Sequence, residues 1–448
     1  MQLKILNGRI NLPERLKNLN STFVVKLYKN GSIVDYILSI PKNETRFRIP
    51  KNILQNLKIG KNDIVDLRIR KVKKLVSRPK KMFRANKINL LYFIPKSTIK
   101  GYQYIVIPKS KFLKIWYKTP VGRPHEIMIK RYVPLDFVRF LGYIQSEGGK
   151  LPKIIPKRRG FELNFTNKLI NLHKDVVDLG EEAGISRNLW KVICTYNPKI
   201  SKSFLQSKIK EFFRETGLEK NKLNLKISER VKKITFKIYI NKTSLFEITY
   251  NTMNVIRKYL HASDNIKLKI EFLRGLFAGD GSIGIARDKS LHVAIMLFEG
   301  DKEFAEDYLK ILKTLNLNCK LRKDNKKDMY VITINGNWNV LNFFYKNRIF
   351  YNVLHNRKKL LTAISLHDKY RVLSYLRSLK NKKTTYDLKK ELNWNYGRLR
   401  KWLILRCKEG MIRKIGFKNY EGNIWVLTDK GLKTCKFIND INSQLLKH

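Results

Sequence analysis

Glu147 and Asp280 are the two carboxylates whose surroundings in the sequence point to chemistry. Each closes an apolar run of the same make, Phe140-Leu-Gly-Tyr-Ile-Gln-Ser-Glu-Gly148 and Leu273-Arg-Gly-Leu-Phe-Ala-Gly-Asp-Gly281. Both runs hold a Gly in a helical pattern (Gly142, Gly275), a small residue four positions later (Ser146, Gly279), one acid and a final Gly. A glycine inside a helix costs about 1 kcal/mol relative to alanine, so two helices sharing the defect imply a shared reason, close approach of their backbones. Helices packed at Gly142/Ser146 and Gly275/Gly279 and ending together would bring the two acids side by side. Like charges at two helix C-termini repel unless a cation lies between them. Mg²⁺, with Mn²⁺ as the alternative, fits this setting: it takes one or two carboxylates, keeps several waters and completes its shell with phosphate oxygens, as phosphodiester hydrolysis needs.

These paired stretches resemble the motifs of LAGLIDADG homing endonucleases, in the single-chain form with two motifs. The resemblance implies an α+β fold of two pseudo-symmetric αββαββα halves whose motif helices form the interface. It assigns Glu147 and Asp280 as metal-binding catalytic acids and Gly142, Ser146, Gly275 and Gly279 as close-packing positions. The second stretch fits better; the first has Gln145 at the variable position and Glu in place of Asp, which leaves the charge intact. The family usually sets a basic residue from a strand of each half near the metals, to polarise water or steady the phosphate. Lys191 in Leu189-Trp-Lys-Val, and Lys320 or Arg322 in Cys319-Lys-Leu-Arg, lie on the strands where such residues are expected.

Elements to carry the acids are legible downstream. After Gly281 the pattern predicts strands at 282–286 and 291–298, a helix at 301–315, strands at 319–322 and 329–334, and a helix at 337–345. The first copy runs similarly but longer, with strands at 161–166, 189–196 and 234–240 and helices at 169–184 and 202–216. The strands of each half are expected to form a curved, basic saddle.

Charge points to the same partner. The 448 residues carry 94 Lys+Arg against 36 Asp+Glu, a formal net charge of +58. Such an excess self-repels unless a polyanion is the usual partner. Neutralising about ten phosphates would give a log–log salt slope of about −9. Charge indicates nucleic acid but no particular chemistry. From Leu67 to His125 there is no acid, 17 Lys or Arg fall in the stretch, and aromatics such as Tyr92, Tyr104 and Trp116 are interleaved. Short β-like runs at 90–94, 102–107 and 112–117 mark it as folded and suited to track a phosphate backbone.

Two further units flank this centre. Asn7 to Leu16 and Phe47 to Leu54 each place a short strand before a proline and a helical turn, and Gly60-Lys-Asn-Asp63 leads into a strand at 64–69. This resembles the swapped-hairpin barrels of AbrB-like transcription factors. At the other end, helices are expected at 370–379, 385–392 and 396–408, with a hairpin at 411–417 and 423–427 and a Leu427-Thr-Asp-Lys-Gly431 ending. The order resembles a winged helix-turn-helix, which implies DNA contacts by Arg398 and Lys401, sharing one face of the third helix, and Lys418 at the hairpin tip. The expected boundaries are 1–75 (small β-barrel), 76–130 (basic β-rich segment), 131–262 and 263–365 (the two halves) and 366–448 (winged helix).

The four cysteines lack a Cys-x-x-Cys spacing, so neither a zinc site nor a disulfide framework follows. His355-Asn-Arg resembles half of a histidine nuclease box, without a second His/Asn cluster to complete it. No signal-peptide pattern and no run of eighteen apolar residues appears, which sets the expectation of a cytoplasmic protein with no membrane partner. The combined reading is a site-specific, divalent-metal-dependent double-strand DNA endonuclease of the homing type. It would act as a monomer on a long, asymmetric site. The alternatives are a non-cleaving DNA-binding transcriptional regulator on the same fold and a maturase that binds intron RNA.

Overall fold

The computed structural model describes residues 2–4, 9–11, 21–29, 32–40, 46–48, 55, 58, 63–71, 83–84, 87–92, 103–118, 125–148, 161–287, 291–325, 327–366 and 382–446. At its centre, helix α1 (Phe137–Glu147) packs along α5 (Ile266–Asp280), the two runs that end in the acids. Gly142 lies against Phe272 O and Leu276 N, and Gly275 against Arg139 O and Tyr143 N, so the two backbones touch directly. Apolar residues on the remaining faces, among them Phe140, Leu141, Leu273 and Leu276, are fully buried and feed one continuous core.

In sequence order, β1 (Gln2–Lys4), β2 (Arg9–Asn11), β3 (Ser21–Lys29), β4 (Ser32–Ile40), β5 (Arg46–Arg48) and β6 (Ile64–Lys71) make up the N-terminal unit. They form an antiparallel sheet of order β1-β6-β3-β4 and a β2-β5 ribbon. Sequence pattern marks only the short strands beside the prolines and the last strand; the long β3–β4 hairpin supplies the middle. The expected helical turns lie almost wholly outside the described residues. Strands β7 (Phe83–Arg84) and β8 (Lys87–Asn89) follow. The expected strand at 90–94 is instead a 3₁₀ turn at Leu90–Tyr92, where Asn89 Oδ1 accepts from Leu91 N at 3.3 Å and bends the chain. A meander of β9 (Gln103–Pro108), β10 (Phe112–Lys118) and β11 (His125–Lys130) then leads through β12 (Tyr132–Pro134) into α1. Leu113, Ile115, Ile127 and Ile129 join the same core as α1, and Lys130 N donates to Ala183 O at 2.8 Å.

The first unit continues as β13 (Leu163–Asn167), α2 (Ile170–Glu182), β14 (Lys191–Tyr196), α3 (Lys202–Thr216), β15 (Leu223–Ile227), β16 (Thr235–Ile240) and α4 (Thr243–Ala262). Its sheet order is β13-β16-β14-β15, with β14 and β15 parallel. After α5 come β17 (Gly281–Arg287), β18 (Leu291–Glu299), α6 (Lys302–Thr314), β19 (Cys319–Asp324), β20 (Met329–Asn335) and α7 (Trp338–Lys346), with sheet order β17-β18-β20-β19. Each of these second-unit elements falls within two residues of its expected bounds. Amphipathic patterning and N-caps explain that: Asp301 Oδ1 accepts from Phe304 N, and Asn337 Oδ1 from Val340 N.

Three helices lie beyond the sequence expectation: α4, α8 (Leu354–Leu366) and the C-terminal α11 (Asp429–Leu446). Before α11 stand β21 (Lys383–Thr384), α9 (Thr385–Leu392), α10 (Tyr396–Lys408), β22 (Ile412–Lys418) and β23 (Gly422–Leu427), in a sheet of order β21-β23-β22. Thr384 caps α9 in a capping box with Asp387, and Asn393 at φ 51° ends it, which fixes the short turn into α10. The expected helix at 370–379 lies outside the described residues. Helix α11 belongs to two cores: Cys435 is buried with Leu388 and Leu399 of this small unit, whereas Ile441 is buried in the main core. Phe437 meets the Tyr345 ring of α7 edge-on at 5.2 Å, so one helix spans both bodies.

Candidate active site

The acids close the two central helices at the same end. Gly279 lies against Ser146, and a side chain there would meet Glu147 Cγ at 2.6 Å, so the residue before Asp280 touches Glu147 itself. Ser146 Oγ donates to Tyr143 O at 3.2 Å and reaches Gly275 O at 3.5 Å across the seam. The glycines that follow the acids are extended, with Gly148 at φ −88° and Gly281 at φ −88°. They are there for space: a Cβ at Gly281 would meet Phe277 Cδ1 at 2.6 Å, and one at Gly148 would meet Asn164 O at 3.0 Å.

Glu147 is held from the side by a residue the motif does not include. Asn167, the last residue of β13, donates from Nδ2 to Glu147 Oε1 at 2.8 Å. The Asn167 amide is itself fixed, since its Oδ1 accepts from Leu169 N at 2.9 Å. Its carbonyl lies 3.0 Å from His173 Nε2, and His173 is fully buried among the rings of Phe165, Phe212 and Phe236. Burial holds that imidazole neutral, with its pKa lowered to about 4, so Nε2 can donate its proton to Asn167 O. The available signal was position: the expected strand ends at Thr166, one residue short of the site. On the other side, Asn356 of α8 is buried and donates to Gly281 O at 2.9 Å, which ties the backbone after Asp280 to an element beyond the second sheet.

Burial raises the Glu147 pKa from 4.5 to about 7, against the opposing pull of the Asn167 hydrogen bond and of Lys168. Between pH 4.5 and 7 the unfolded chain gives up this proton while the folded chain keeps it. Metal-free stability should therefore fall as pH rises through that window, by an amount on the order of 3 kcal/mol, and level off above it. Urea midpoints at pH 5 and pH 8 in chelator test this: Glu147→Gln should remove that part of the fall. Parallel pH curves for both proteins would refute the burial of this carboxylate.

The expected basic partners are not brought to the acids. Lys320 and Arg322 lie on β19, the edge of the sheet opposite β17, roughly 14 Å across three strand spacings. Lys191 is exposed at the start of β14; it pairs with Tyr239, as does Asn164, so it lies two strands over and three residues back from Asn167. The cation whose charge acts on Glu147 is Lys168, adjacent to Asn167 in sequence. In the C-terminal unit Arg398, Lys401 and Lys418 are all exposed. Arg398 stacks over Trp394 at 4.5 Å, and Lys418 pairs with Glu421 at 2.5 Å.

Among the described residues no group of three or more His, Cys, Asp or Glu could hold a metal. A pair of carboxylates, one desolvated, at two helix ends is nonetheless a donor set a hard divalent cation fits when a phosphate completes the shell. Among the described residues, no helix is long and apolar enough to cross a membrane.

Residues 267–346, from α5 through α7, match the family model described as a LAGLIDADG-like domain. No curated protein matches the chain by sequence. Among solved structures, the chain is similar to I-DmoI in complex with DNA and Mn, at 17% identity over 45% of this chain and 89% of that chain, with a TM-score of 0.26. It is similar to the homing endonuclease I-WcaI bound to its DNA recognition sequence, at 16% identity over 50% and 81%, with a TM-score of 0.27. It is also similar to wild-type MarR from E. coli, at 22% identity over 22% and 82%, with a TM-score of 0.17.

Proposed function

We propose that this protein is a divalent-metal-dependent, site-specific double-strand DNA endonuclease built on two pseudo-symmetric LAGLIDADG halves. The observation that carries the reading is the seam of bare backbone between α1 and α5, which delivers Glu147 and Asp280 to one end. The LAGLIDADG-like match over α5 to α7 supports it. Glu147 and Asp280 would hold the cation. Asn167 keeps one Glu147 oxygen engaged and so orients the carboxylate, and Lys168 offsets its charge. Mg²⁺, when bound, supplies charge stabilisation at the phosphoryl group and a nucleophile at neutral pH.

The two halves differ: the first carries α3 and the parallel strand β15, which have no counterpart among the described residues of the second. Unequal halves on one chain suit a monomer on a long, asymmetric DNA site. The unit from β21 to α11 is proposed as a winged helix-turn-helix with Arg398 and Lys401 of α10 facing DNA and Lys418 on the wing, held to the second half by α11.

Incubation of the purified chain with a pooled long-DNA library and Mg²⁺, followed by mapping of ends, tests the proposal. Discrete, metal-dependent double-strand ends are expected. Site-specific binding with no cutting across metals and temperatures would overturn it in favour of a regulator, and preference for structured RNA over duplex DNA in favour of a maturase.

A further inference from the structure

Asp175 and Asp307 occupy like places, each six residues after its helix's N-cap, Leu169 in α2 and Asp301 in α6. Their surroundings differ. Asp307 is closed off by the protein's own cation: Arg257 of α4 is 1% exposed, donates to Asp307 at 2.8 Å and lies 3.7 Å from the Phe304 ring centre. Asp175 accepts from Tyr143 at 2.6 Å and from Asn352 at 3.1 Å, and Arg139 Nε lies 3.1 Å away. Beside it opens a cavity of about 280 Å³, which Arg139, Arg274 and Arg348 line from α1, α5 and the segment after α7.

These three cations are not equally matched. Arg139 is answered by Asp175 and, at 3.5 Å, by Glu271. Arg274 pairs with Glu271 at 2.5 Å and donates Nε to Asn347 O at 2.9 Å. Arg348, at φ 50°, has no carboxylate within 4.0 Å among the described residues and rests 5.5 Å from the Tyr351 ring centre. Three guanidiniums therefore line one recess, and two carboxylates pair with two of them, which leaves the exposed Arg348 unmatched.

We propose that this recess is a phosphate site, in which Arg348 with Arg274 and Arg139 grips a phosphate group beside the seam of the central helices. Guanidinium forks match phosphate oxygens bidentately, which a lone lysine cannot do. The volume suits a phosphate with its waters or a small organic phosphate, below the usual range for drug-sized ligands. The inference does not depend on DNA cleavage. It covers a free phosphate and a nucleic-acid backbone phosphate alike.

Calorimetric titration of the full chain with inorganic phosphate at constant ionic strength tests it. One saturable site is expected, weakened at least about tenfold in Arg348→Gln and unchanged in Lys302→Gln, a surface control. Arg348→Gly is the companion variant, since glycine relaxes at φ 50° and removes the whole side chain without backbone strain. Phosphate displaced by added duplex would identify a backbone phosphate as the occupant; phosphate retained alongside duplex would identify a free anion. Unsaturable binding, or equal binding by wild type and both Arg348 variants, would overturn the proposal and leave only diffuse attraction to a chain of charge +58.

Discussion

Glu147→Gln combined with Asp280→Asn is expected to lower DNA cleavage by at least about 10³-fold while leaving the fold and DNA binding in place. The size follows from what the carboxylates would supply: cation-mediated stabilisation of the reacting phosphate is worth several kcal/mol, and each 1.4 kcal/mol is about tenfold. The fold should survive because both changes are nearly isosteric. The amide carbonyl that Glu147→Gln introduces can still accept from Asn167 Nδ2, which now holds Glu147 Oε1 at 2.8 Å. Neutral pH should even favour the variant, because a carboxylate with its pKa at about 7 is costly to ionise where it is buried. DNA affinity should hold or rise, since on the proposed reading the variant removes negative charge, that of Asp280 and the ionised fraction of Glu147, from beside the DNA backbone. Linearisation in Mg²⁺ and gel shifts in Ca²⁺ separate the two effects. If the double variant still cuts at the wild-type rate, the acids are misassigned.

How far the sequence carries this reading depends on what each residue has to signal. The second unit is legible element by element because its strands alternate and its helices open on Asp301 and Asn337, residues whose side chains cap backbone amides within three positions. The acids and the glycine seam are legible because a glycine in an apolar helix contradicts local propensity and needs a tertiary cause. Asn167 is not, because nothing local marks an asparagine at a strand end as a partner of a carboxylate twenty residues earlier. Lys191, Lys320 and Arg322 show the converse: a strand assignment is no guide to distance from the acids when strand order is set by pairing, and β19 pairs only at the far edge. Helix α8 escapes notice although His355-Asn-Arg stands at its start, because that triplet resembles half of a nuclease box and nothing local marks Asn356 as the residue that holds Gly281 O.

Gly275→Ala and Gly142→Ala are expected to destabilise the protein, together by at least about 3 kcal/mol, although alanine is the better helix former by about 1 kcal/mol at each position. The local gain loses because of what the new methyl groups would meet. At Gly275 a Cβ runs into Arg139 O and lies 2.7 Å from Tyr143 N; at Gly142 it runs into Phe272 O and lies 2.9 Å from Leu276 N. All four are backbone atoms of the partner helix, so no rotamer change relieves the clash and α1 and α5 must move apart. Gly180 in α2 is the internal control. A Cβ there meets Trp190 Cζ2 at 3.6 Å and Phe140 Cε2 at 3.7 Å, ordinary contact, so Gly180→Ala should gain about 0.5–1 kcal/mol. Urea unfolding of the three single variants, read with the metal dependence of cleavage, gives the test. Separated helices also separate Glu147 from Asp280, so cleavage by the seam variants should need more Mg²⁺ at temperatures where they remain folded, whereas Gly180→Ala should not. Seam variants as stable as Gly180→Ala would mean that the backbones do not touch, and the acids would lose the device that brings them together.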